Sequence, residues 1–492
     1  MSVRDGLGAL FLAFVAGAVL PGCGKDAPEA PAGHSTGGGP GATFLSPDPS
    51  GTVGTFSATG SLDPSNPFFQ SLGTNGRSCA SCHVQGDGWG LSAAAAQAIY
   101  ASSGGRDPLF AAVDGADCPD AAAGAGAAGH SLLLNSGLIR EALPLPAGAQ
   151  FTIAVVHDPY GCALRGDSSA PAVSVYRRPL QATNLGFLSS VMFDGRETAY
   201  PLTTGATLQA NLQADLAQQA LDATLVHAQA TTPPTAAQLA AIVGFELALF
   251  TAQASDDSAG ALYSQGAGGG PVPLAGQRYY PGINDPLGGN PTGAVFNDTA
   301  STIFPAWLSL TGAGAYAAAR AAVARGEMIF DTHPLSITGV AGLNDVLGVS
   351  VVRGTCTTCH DTPNVGNHSR PMPLDIGVSH PAAYETDPQL LAGLGQLDVP
   401  DLPVYRLSCT AGPLAGTIRY TSDPGRAMIT GLCADIGLVK GPILRGLAAR
   451  APYFHNGAAR DLAALVRFYD QRFQMALGDV QMADLVAYLR TL

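Results

Sequence analysis

Cys79-Ala80-Ser81-Cys82-His83 and Cys356-Thr357-Thr358-Cys359-His360 are two copies of one pattern, Cys-x-x-Cys-His, in a chain of 492 residues. Cysteines three apart on a helical turn face the same side, and the histidine that follows points its ring beneath them. Two thiols can then bond the vinyl groups at one edge of a haem while the imidazole binds its iron. A Cys-x-x-Cys pair alone also fits a thioredoxin-like couple or half of a zinc site. Two copies, each with its histidine, point to two covalently bound haems c. Cys79, Cys82, Cys356 and Cys359 would attach them, and His83 and His360 would bind iron.

Upstream of the first motif, Arg4 precedes an apolar run over residues 7–20 and then Leu20-Pro21-Gly22-Cys23. The run is short for a transmembrane helix and suits a secretory signal. Leu, a small residue and Cys resemble a bacterial lipobox, although Pro21 is unusual there and Asp5 weakens the basic start. The expectation is a lipoprotein signal over 1–22, lipid on Cys23 and a flexible tether over 23–50. This places the protein in the bacterial cell envelope, facing the periplasm and anchored to the outer membrane; a plain secretory signal is the alternative. After lipid and haem, Cys118, Cys162, Cys409 and Cys433 remain. In an oxidising compartment they predict Cys118–Cys162 and Cys409–Cys433 bridges, each local to one half, with buried thiols as the alternative.

The composition is 46% hydrophobic, enough for a sizeable core, with 24 Lys+Arg against 37 Asp+Glu. An acidic chain without a basic field excludes nucleic acid as a partner. Helical periods dominate. Thr235 follows Pro233-Pro234 and caps a helix with Leu239, Ile242, Val243, Glu246 and Phe250 on one side. Leu208, Leu212, Leu216 and Ala220 recur every four residues. A helix over 317–330 leads toward the second motif. Asp461 caps a stripe of Leu462, Leu465, Val466, Tyr469 and Phe473, and a last helix carries Met482, Leu485, Val486 and Leu489. Strands are expected only around 151–156 and 174–176, and Gly/Pro-rich loops over 264–295. The expected fold is therefore mainly α: two cytochrome c-like haem lobes, 51–310 and 311–492, with long loops and few short strands.

Further segments carry a family likeness. Gly441-Pro442-Ile443-Leu444-Arg445-Gly446-Leu447, Ala451-Pro452-Tyr453-Phe454-His455-Asn456-Gly457 and Val466-Arg467-Phe468-Tyr469-Asp470 resemble the bacterial di-haem cytochrome c peroxidase and MauG superfamily. Met192-Phe193-Asp194-Gly195-Arg196 is similar to its F-W-D-G-R element, and Phe245-Glu246 to its F-E helix. The resemblance implies a distal ligand to the C-terminal haem from the helix after the P-Y-F-H-x-G element, a Met in peroxidases and a Tyr in MauG-type proteins. Tyr469 falls at that place; a core tyrosine bonded to a carbonyl or propionate is the competing reading. Met475 lies off the stripe, and Met428 is remote.

For the first haem, the resemblance implies an open or displaceable distal side and a Glu after a Gln-Ala pair. Here the segment runs Gln219-Ala220 to His227 without a Glu. His227 is the substitute, as acid–base group or as sixth ligand; a satisfied structural histidine is the bland reading. Phe193 replaces the family's interhaem Trp, which speaks against hopping through that residue. Arg178 and Arg450 stand where the family places calcium-site residues, which speaks against calcium. Trp89 suits packing on the porphyrin, or a relay, and His368 a loop hydrogen bond or a propionate contact. The implied activity is reduction of hydrogen peroxide, or another small oxidant, with electrons from a small cytochrome or cupredoxin. A pure electron carrier, and a MauG-like or rubber-oxygenase-like oxidase of an external substrate, are the alternatives.

Overall fold

The helices form where capping and period place them. A computed structural model describes residues 41–120, 125–165, 171–198, 206–277, 295, 301–310, 314–360 and 373–492. The signal segment, Cys23 and His368 lie outside the described residues. Thr235 caps the helix Ala236–Leu247 in a reciprocal box with Gln238. Asp461 accepts from the Ala464 amide at the start of Leu462–Phe473. The remaining long helices are Ala206–Val226, Ala317–Thr332 and Asp479–Arg490. The last two cross closely at Gly326, where an added Cβ would lie 2.0 Å from the Asp484 carbonyl oxygen, beside an Arg325–Asp484 ion pair of 2.7 Å.

The expectation of a mainly α fold is overturned. Helix accounts for 36% and strand for 18%, with the strands in four sheets. Ala42–Asp48, Gly51–Ser57, Leu249–Asp256 and Gly260–Ala261 form one antiparallel sheet. Its first strand takes up the end of the segment expected as tether. Phe250, assigned above to a helix stripe, belongs to the third strand, because the helix stops at Leu247. Strands buried on both faces show no alternation, so Gly51–Ser57 and Leu249–Asp256 were not expected as strands. Polar residues are accommodated in pairs: Thr55 faces Thr251 in register, their hydroxyls 3.1 Å apart.

The two expected strands exist, as Phe151–His157 and Ala172–Arg177. Phe151–His157 pairs with Val404–Cys409, which carries Ile418–Thr421 on its other edge, so this sheet draws on both halves of the chain. Cys409–Cys433 is bridged. Cys118 and Cys162 are buried neighbours but remain thiols, so that expected bridge is not formed. Arg177, fully buried, binds Asp423 at 2.6 and 2.9 Å, Asp194 at 2.6 Å and Glu141 at 3.2 Å, and so ties the first half to the second. No helix among the described residues is long and apolar enough to cross a membrane.

Candidate functional site

Both Cys-x-x-Cys-His motifs fold alike, and the residues around them explain why. Ser78 and Thr355 precede the first cysteine, and Ser81 and Thr358 precede the second. The Ser78 amide donates to the Ser81 hydroxyl at 3.1 Å, and the Thr355 amide to Thr358 at 2.9 Å. Each pins a single 3-10 turn, Cys79–Ser81 or Cys356–Thr358. The His83 amide then reaches the Cys79 carbonyl at 3.1 Å and the His360 amide that of Cys356 at 3.0 Å. The hydroxyl at the third motif position is thus a structural part of both copies, legible in the sequence but overlooked.

Each motif forms part of the wall of a large cavity. The His360 cavity encloses about 1680 Å³ including its mouth, and the His83 cavity about 1370 Å³. Protein interiors are close-packed, so walls of this span suit a bulky, largely apolar ligand. In the first cavity, Nδ1 of His83 lies 3.1 Å from the Trp89 carbonyl oxygen. A carbonyl only accepts, so Nδ1 carries the proton and Nε2 keeps its lone pair for a metal. Burial also holds His83 below its ordinary range, in the neutral form a ligand needs. Trp89 is buried in a left-handed conformation, φ 62°, that presents this carbonyl. Its indole donates to Thr55 at 2.9 Å and its ring packs among Phe68, Phe69 and Phe245, which makes it a packing residue.

The surroundings of the motif thiols bear on the readings of Cys-x-x-Cys. Burial pushes Cys79 up to about 12, Cys82 to about 11 and Cys356 to about 12. A thioredoxin-like couple needs the opposite, a stabilised thiolate. A zinc site needs more ligands than a motif supplies, and no group of three or more His, Cys, Asp or Glu that could hold a metal ion occurs among the described residues. Two thiols and one imidazole on the wall of an apolar cavity fit a haem, which brings four ligands of its own.

His227 follows the helix Ala206–Val226 and lines the His83 cavity. Its Nδ1 donates to Asp114, which is also bound by the buried Arg77. Burial would raise the Asp114 carboxyl, but the His227 hydrogen bond and the Arg77 charge override it and hold it low. Ionised Asp114 therefore fixes the ring and leaves Nε2 of His227 for the cavity. Asp114 and Arg77 were missed because they lie far from His227 in sequence. Glu246, also missed as a cavity residue, enters the same wall from the helix Ala236–Leu247. It is buried, its Oε2 has no hydrogen-bond partner among the described residues, and burial pushes its carboxyl up to about 8.

Tyr469 lines the His360 cavity, and no hydrogen bond of its hydroxyl is found among the described residues. Burial raises its phenol, with the motif thiols Cys359 and Cys356 adding to the rise. Met475 lines the same cavity, so the off-stripe residue is brought there as well; Met428 packs elsewhere, beside Tyr405 and Phe151. Phe330 lies against His360, ring centroids 6.1 Å apart. Phe193 lines both cavities and packs on His455 at 5.8 Å, so it stands between the two motifs. His455 itself is bonded to Ser379 at 3.0 Å, and burial holds it down to about 4. No family model matches this chain, and no curated protein matches it.

Proposed function

We propose that the protein is an exported di-haem c-type oxidoreductase that reduces hydrogen peroxide at the His83 cavity with electrons from a small redox protein. One observation supports this reading above the rest: a histidine oriented by a buried ionised carboxylate lines the same cavity as a Cys-x-x-Cys-His motif. Haem would supply the iron at which the O–O bond is reduced. The chain's part is to bind, orient and move protons. Cys79, Cys82 and His83 would hold the first group and Cys356, Cys359 and His360 the second, with Tyr469 as a further residue that would bind the second. Reduction takes hydrogen peroxide, two electrons and two protons to two waters. Nε2 of His227 is the group suited to carry a proton between the peroxide oxygens, while Asp114 keeps the ring oriented. The electrons come one at a time from a small cytochrome or cupredoxin.

The same fixed ring supports a second reading, since Nε2 of His227 is also a good sixth iron ligand, which would make the protein an electron carrier. The test is expression with a c-type attachment system, a haem count, and EPR of resting and half-reduced protein before and after peroxide. Two haems per chain, one becoming high-spin, with His227→Ala lowering peroxide turnover about 100-fold or more, are expected. Two haems that stay low-spin after one-electron reduction would overturn the peroxidase reading.

A further inference from the structure

The two cavities share a wall, and its charge is one-sided. Arg178, Phe193, Lys440, Pro442 and Arg450 line both cavities. Three of these are cations at least nine-tenths buried: Arg178, Lys440 and Arg450. They lie close enough that Arg450 and Arg178 repel one another, as do Lys440 and Arg450. The contrast with the preceding residue is informative. Arg177 has three carboxylates within 3.2 Å, whereas none of these three cations makes an ion pair among the described residues. Arg178 reaches only the carbonyls of Leu91 and Pro452, with Nε lacking a partner, and Arg450 those of Arg445 and Ile443. The Lys440 ammonium has no hydrogen-bond partner among the described residues. Burial accordingly holds Lys440 down to about 8 and Arg450 to about 9.

Asp87 acts on Arg178 without forming an ion pair, and it is one carboxylate against three cations; buried charge in excess of its counter-charge is strongly unfavourable, so this cluster is suited to further anions. Their position names the anion. The cysteines of each motif line one cavity only, Cys79 and Cys82 that of His83 and Cys356 and Cys359 that of His360, whereas these three cations line both. The cations therefore belong to the parts of the cavities away from the thioether edge. A porphyrin carries its two propionates on the edge opposite its vinyl groups.

We infer that Arg178, Lys440 and Arg450 are the shared counter-ions of carboxylates from both prosthetic groups, whose acid edges meet at this wall from either side. The inference rests on the di-haem reading and deepens it. A single set of side chains then sets the charge felt by both irons, so the two centres titrate as an electrostatically linked pair. Guanidinium and ammonium groups neutralise the junction without a divalent cation.

Potentiometric titration of the complete, haem-loaded protein tests this, following each haem by its own absorption band. Arg450→Gln removes positive charge next to both groups and is expected to lower both midpoint potentials, while Arg450→Lys keeps both near the unaltered protein. Lys440→Met removes an unpaired buried charge, so it is the variant expected to fold if Arg450→Gln does not, and it too lowers both. Prolonged dialysis against EDTA is expected to leave both potentials unchanged. A folded Arg450→Gln or Lys440→Met protein in which only one midpoint moves, or neither, overturns the proposal, as does a shift on chelation. Protein that carries no covalent haem overturns the di-haem reading itself, and this proposal with it.

Discussion

At the scale of single residues, the question is which atom stands opposite each proposed iron. Tyr469→Phe deletes one oxygen from the His360 cavity and changes little else. If that oxygen is the ligand, the absorption and EPR spectra of one haem change while those of the other stay as they were; an unaltered spectrum excludes ligation and leaves Met475 as the candidate in the same cavity. Tyr469 was legible because its helix has a cap and a period. His227 was reached through the family resemblance, as the substitute for the Glu missing after Gln219-Ala220. Asp114, Arg77 and Glu246 were not legible, since Arg77 and Glu246 reach the cavity from separate elements and Asp114 reaches it only through His227 and Arg77, and separation in sequence carries no trace of that. The search for a carboxyl near Gln219-Ala220 looked along the chain, whereas the cavity takes Glu246 from the next helix.

At the scale of elements, long helices were readable and short strands were not. A capped amphipathic helix announces itself within its own residues. A two-sided buried strand such as Leu249–Asp256 is defined by its neighbours, and its Ala, Thr, Gln and Ser positions lack any period. Gly326 belongs to the same lesson: its role is visible only once Ala317–Thr332 meets Asp479–Arg490. Gly326→Ala is expected to force these helices apart and lower stability by roughly 2 kcal/mol or more, measured by denaturant unfolding, despite alanine's better helix propensity. A second element-level device is His380, held between Asp375 at 2.8 Å and Glu385 at 2.7 Å beside the helix Pro388–Leu394. Burial would lower its pKa, but the two carboxylates raise it to about 9. A raised histidine contributes stability that is complete below its unfolded pKa of about 6.5 and is lost as pH rises through 9. The contribution is roughly 3 kcal/mol at most. Melting temperature should fall across that interval, and His380→Gln should flatten the fall.

At the scale of the whole molecule, the two motifs were read as the centres of two lobes, yet the contacts between halves are extensive. Phe151–His157 completes a sheet begun by Val404–Cys409. The Leu492 main-chain oxygen accepts from Gln253 and from Gly446 at 3.0 Å each. Arg177 holds Asp423 across the same divide. Arg177→Gln takes the arginine from buried Asp423 and leaves Asp194 and Glu141 to Arg196 alone, and is expected to lower stability by roughly 3–5 kcal/mol. Calorimetry should show both halves losing it in a single transition. Two separate transitions, with only one displaced, would show that the halves unfold independently.

The wall common to both cavities also bears on how such a protein can be made. Residues from the first half, Arg178 and Phe193, and from the second, Lys440 and Arg450, must come together to close either chamber. On the proposed reading, neither haem can be threaded in once that closure has happened, and closing early would bring three like charges together in a low-dielectric interior. On that reading attachment precedes folding. The chain would cross the membrane extended, receive both haems at its motif cysteines, and only then collapse around them. The prosthetic groups would then be the nuclei on which the native state condenses, and a cell short of haem would accumulate not an inactive protein but an unfolded one.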